Sequence, residues 1–163
     1  MRDAVYASIL RLIDDYRLHQ WMLVKLTPLE TLFPVRHADL DVFRIAGSCV
    51  PPPDGLISPA TPARVVLDCG LDDYSERIVY AHEIGHVLAG HAGELMTISM
   101  DAWFGDKAER EAWEVAALLL VPYDAISRYQ DLYVIALMCE VPEHLVSLAV
   151  QCYLGSPVLT HGL

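Results

Sequence analysis

A chain of 163 residues, 54% hydrophobic and 20% charged, is long enough to bury one sizeable core. A formal net charge of −11 argues against direct binding to nucleic acid or an anionic membrane and favours a basic partner. Cys49, Cys69, Cys139 and Cys152 are scattered without a Cys-x-x-Cys pair, the pattern of free thiols in a reducing compartment and not of a disulfide framework.

Taken in chain order, Ala4, Ile9, Leu12, Ile13 and Tyr16 recur at helical spacing and predict an amphipathic helix over about 3–18. Arg11, Asp14 and Asp15 interrupt it, so it has no signal-peptide character, and no later run reaches the ~18 apolar residues of a membrane span. The expected location is the cytoplasm. Leu29–Phe33 reads as a helical turn and Val35–Ala46 as one or two short strands. Three prolines, Pro51 to Pro53, stiffen a loop before two further short strands, Leu56–Ser58 and Ala63–Asp68.

A helix over about 75–89 follows, with Asp73 and Glu76 at capping-box spacing and Gly90 as its stop. Leu95–Met100 reads as loop or short strand, and Trp103–Asp106 as a turn. Ala112, Val115, Ala116, Leu119 and Leu120 mark a second strong helix over Lys107–Leu120, ended by Pro122. Leu132–Met138 and Pro142–Tyr153 are the last helices. The pair has a helix-turn-helix look, but Arg128 is the only Lys or Arg from Tyr123 to Leu163, so it has no basic face for phosphates.

The stretch that carries chemistry is His82-Glu83-Ile84-Gly85-His86. Residues four apart share one helix face, so the two imidazoles can converge on one ion while Glu83 stands beside it. Two histidines and a third ligand, with one position open for water, make a hydrolytic zinc site, and the motif alone points to a zinc-dependent peptidase. The third ligand must come from downstream. His91 is off the metzincin spacing, because the glycine and histidine of that pattern fall on Ala89 and Ala92. The better source is the acidic run Glu109-Arg110-Glu111-Ala112-Trp113-Glu114. Periodicity sets Glu114 well away from the apolar arc but does not separate Glu109 from Glu111, which flank it on opposite sides.

Two motifs in order resemble the ImmA/IrrE family of metallopeptidases. The first is Arg77 to Leu88 followed by His91. The second is Glu109-x-Glu111-Ala112, then Ala116-Ala117-x-Leu119-Leu120-x-Pro122. The resemblance spans about 50–150 and departs from the family at Trp113, where Asn is usual, and at Val115, usually Phe. It implies an α+β, zincin-like fold in one domain over 1–163, with a small antiparallel or mixed sheet, a catalytic core over about 50–122 and a helical tail over about 123–155. It implies His82, His86 and Glu111 as zinc ligands, Glu83 as general base and His91 at the rim.

The same resemblance implies a bacterial or mobile-element regulator that cleaves a helix-turn-helix repressor and so relieves repression. The alternative is a non-catalytic metal-binding protein, an anti-repressor or toxin–antitoxin partner, that binds without cleaving. The strand Ala63–Asp68, or one beside it, is the expected edge for an extended substrate. Tyr74, Tyr123 and His91 are equal candidates for stabilising the oxyanion.

Overall fold

The computed structural model describes residues 2–20, 22–40, 46–50, 52, 57–91 and 107–155. In chain order these form α1 (Arg2–Asp15), β1 (Val35–Ala38), β2 (Gly47–Val50), β3 (Arg64–Asp68), α2 (Asp73–Leu88), α3 (Lys107–Leu120), α4 (Tyr123–Arg128), α5 (Leu132–Cys139) and α6 (Glu143–Gly155). Two 3-10 turns, Leu18–Gln20 and Thr27–Thr31, lie between α1 and β1. The expectations for residues 41–45, 53–56, 92–106 and 156–163 fall outside the described residues.

The fold is α+β with a small mixed sheet of order β1-β3-β2, β1 parallel and β2 antiparallel to β3. Val65 and Leu67 alternate into the core from β3. Both neighbours of β3 are occupied, so Ala63–Asp68 is the centre of the sheet, and of the strand and its neighbours named as the expected edge only the neighbours, β1 and β2, have one among the described residues. β2 lies just beyond the strands expected over Val35–Ala46, where Gly47 and Ser48 carry little strand propensity; it forms because Cys49 pairs opposite the buried Val65.

α2 starts one residue earlier than the capping-box spacing suggests. Asp72 is the cap, its carboxylate accepting from the Ser75 amide at 2.8 Å. The helix ends before Gly90, whose φ of 76° suits glycine. At the other end of the structure Pro122 closes α3 and also caps α4, a six-residue helix too short to leave a periodic signal. Arg77 of α2 holds the tail in place, donating to the carbonyls of Val24, Cys139 and Glu140. No single helix among the described residues is long and apolar enough to cross a membrane.

α3 lies at the middle of the helical layer. Every residue from Ala112 to Leu120 is buried. That includes Glu114, which the helical wheel had turned away from the core. Its carboxylate accepts from the Tyr6 hydroxyl at 3.1 Å, and the same hydroxyl lies 3.6 Å from the Cys152 sulfur, so α1, α3 and α6 meet around a polar group.

α2 and α3 pack with backbone against backbone at Gly85. A Cβ there would lie 2.3 Å from the Ala112 carbonyl oxygen, a backbone atom with no rotamer to yield. Gly85→Ala should gain up to about 1 kcal/mol of helix propensity and lose more, about 2–3 kcal/mol, to the collision. A lower melting temperature is expected; a raised one would show that the helices do not need this glycine.

Candidate metal centre

His82 and His86 sit one turn apart on α2, both fully buried. Their Nε2 atoms face each other at 2.9 Å. The first turn of α3 closes the group: Glu109 Oε2 lies 3.3 Å from His82 Nε2, and Oε1 lies 3.4 Å from His86 Nε2. One ligand atom from each of the three falls within 4.8 Å of the others. A hydrogen shared between two ring nitrogens satisfies one lone pair, whereas a cation accepts both, and a carboxylate on the third side offsets its charge. Two imidazoles and a carboxylate therefore fit a divalent ion.

The expected third ligand, Glu111, is not part of this group. Its carboxylate meets His91 Nε2 at 3.0 Å and Lys107 Nζ at 3.7 Å. The rotation of α3 explains the difference. Ala112 faces Gly85 across the helix contact, and Glu109, three residues before it, shares that face. Glu111 is one residue before Ala112, about 100° around the axis, and points past the site. The motif gave two carboxylates; the helix contact selects between them.

Glu83 is fully buried beside the pair, and neither carboxylate oxygen has a hydrogen-bond partner among the described residues. The room for it comes from β2, since a Cβ on Gly47 would stand 2.9 Å from Glu83 Oε1 and 2.7 Å from Val79 Cγ1. Burial pushes the Glu83 carboxyl up to about 8; the nearby Cys49 thiol opposes the rise, without reaching hydrogen-bonding geometry, and Glu109 adds to it. Burial also holds His82 below its usual value, against the pull of Glu109. Burial thus makes the Glu83 carboxyl hold a proton more tightly than a solvated one.

His82 Nδ1 has no hydrogen-bond partner among the described residues. Its ring is set instead by Trp113, whose indole packs on it with centroids 4.0 Å apart and planes 41° apart. The tryptophan that departs from the family pattern therefore orients a site histidine by contact area, where a hydrogen bond is the more usual device. Of the three oxyanion candidates, His91 alone stands beside the pair, 5.8 Å from His86 between ring centroids. Tyr123 packs on Tyr153, and Tyr74 lines a groove at the start of α2.

Two measurements test the geometry. Metal analysis should show Glu109→Ala losing affinity by more than the about 10–100-fold typical of a supporting residue, and Glu111→Ala by no more than that. The reverse order would restore Glu111. The second concerns the metal-stripped protein. With its folded value above the unfolded 4.5, Glu83 makes the fold bind more protons than the unfolded chain up to about pH 8, so its contribution falls as pH rises through that window. His82, shifted down, acts oppositely and loses stability as pH falls below 6.5. Wild type should therefore weaken relative to Glu83→Gln between about pH 4.5 and 8 in denaturant titrations; a constant difference would mean a solvated carboxylate.

The family model Peptidase_M78, described as an IrrE N-terminal-like domain, matches residues 33–142. No curated protein and no solved structure matches the chain.

Proposed function

The chain belongs to the IrrE N-terminal-like family of metallopeptidases, and from that membership we propose that it is a zinc-dependent endopeptidase acting on a protein substrate. The observation that carries the proposal is the convergence of His82, His86 and Glu109 beside an unpartnered, buried Glu83. His82, His86 and Glu109 would hold the ion, and a nitrogen-rich set with one carboxylate suits zinc. When bound, such an ion polarises a carbonyl and acidifies water.

The chain's own residues do the rest. Glu83 takes a proton from the attacking water and returns it to the departing amine. Gly47 and the β2 backbone wall off the side of Glu83 that would otherwise be wet. β2 is an edge of the described sheet and lies over α2, so it suits an extended peptide added by strand pairing. His91 is oriented by Glu111 and stands where it can meet a developing oxyanion.

The substrate suggested by family resemblance is a DNA-binding, helix-turn-helix repressor, whose cleavage relieves repression. A net charge of −11 supports a basic partner of that kind, and four free cysteines support a reducing cytoplasm. Glu83→Gln separates this reading from that of a binder with a structural metal. Peptide-bond cleavage should fall about 10²–10⁴-fold, the range of a lost general base, while metal content and partner binding stay at wild-type levels. Undiminished control of the partner by this variant would sink the peptidase reading.

A further inference from the structure

The outer side of the tail plays no part in the metal centre. α5 and α6 meet at 107° across Glu140–Pro142, the shape of a helix-turn-helix without the cations that unit needs to meet DNA. What α5 turns outward is apolar. Tyr133 and Leu137, one turn apart, are 56% and 60% exposed, and Tyr74 at the start of α2 is 44% exposed. The three line one cleft of about 360 Å³, and Tyr74 also lines an adjoining groove of about 750 Å³ that runs along the start of α2 to β1.

The charge around this strip is predominantly negative. Asp73, Glu76, Glu140 and Glu143 border it. Of the basic side chains there, the Arg77 guanidinium donates to backbone carbonyls and lies near Glu140, and His37 Nε2 stands 3.2 Å from Glu76 Oε2, so with Lys25 they are outnumbered by the carboxylates. A contiguous apolar strip with a polar rim marks a partner site, and the sign of the rim selects the partner. A second copy of this chain, itself at −11, would set like charges together.

We propose that the Tyr74–Tyr133–Leu137 strip and its carboxylate rim are a docking site for a basic, amphipathic segment of a partner protein. The occupant lays apolar side chains along the strip and Lys or Arg on the rim. Tyr74 and His82, the nearer histidine, are eight residues apart on α2, about 12 Å along its axis at ~1.5 Å per residue, so the strip lies two turns from the metal centre. The inference rests on the surface alone and holds whether or not the docked protein is cut.

The test titrates the full-length, isotope-labelled protein with a synthetic amphipathic Leu/Lys helical peptide, its Leu/Glu counterpart, and a scrambled Leu/Lys peptide without an apolar face. Shift changes should cluster at Tyr74, Tyr133 and Leu137 with the first peptide alone. Tyr133→Ser/Leu137→Ser and Glu140→Lys/Glu143→Lys should each weaken binding at least about tenfold, as loss of a binding hot spot does. Leu154→Ser, an exposed leucine outside the strip, should leave binding unchanged, and so should Glu83→Gln. Four results would overturn the proposal: equal affinity in the double variants, equal binding of the scrambled peptide, preference for the acidic peptide, or self-association of wild type that Tyr133→Ser/Leu137→Ser abolishes. Loss of cleavage in Glu83→Gln with docking intact, or the converse in the strip variants, tells the two readings apart.

Discussion

The close approach of α2 to α3 at Gly85 and Ala112 governs the rest of the structure. Two helices carrying full side chains at their contact sit 8–10 Å apart, a range set by those side chains. Removing one Cβ lets a backbone carbonyl take its place. The approach brings the first turn of α3 level with the His82–His86 face, and it fixes which way α3 is rotated. A short carboxylate side chain then spans the remaining gap from Glu109. The pair of histidines is local, a matter of four residues on one helix; the third group is tertiary and exists because of a glycine on another helix.

The site is assembled by exclusion of water as much as by attraction. His82, Glu83 and His86 are fully buried, an arrangement that costs free energy and that neighbouring residues must stabilise. The Trp113 ring covers His82, Gly47 leaves a recess for Glu83, and Glu109 offers charge to both imidazoles. The His91–Glu111 pair then forms a second, more exposed polar layer beside the first.

Much of this was legible from the residues. The spacing of His82, Glu83 and His86, the stop at Gly90, the bounds of α3 and the apolar tail all follow from local periodicity, and local periodicity is what a single sequence records well. The choice between Glu109 and Glu111 was not local. The signal that could have made it was present: the one glycine inside the histidine helix needs a small residue opposite, and Ala112 in the acidic run meets that need. Taking Ala112 as the contact would have selected Glu109, three residues before it. The burial of Glu114 escaped for a related reason. A helix wrapped on all sides has no outer face, and a wheel drawn from apolar residues alone assumes one. β2 was missed because Gly47 and Ser48 carry little strand propensity, and α4 because six residues are too few for a helical period to emerge.

The polar knot of Tyr6, Glu114 and Cys152 has a consequence for how the protein divides. The rod that presents Glu109 on one flank rests its opposite flank on the first and last helices, neither of which supplies a group to the site. Those two helices are its bearings. Cutting the molecule back to the stretch between the motifs would leave a carboxylate and a row of leucines facing water, and the rod would lose the alignment on which the histidines depend. The alignment of the three groups therefore draws on helices from both ends of the described chain.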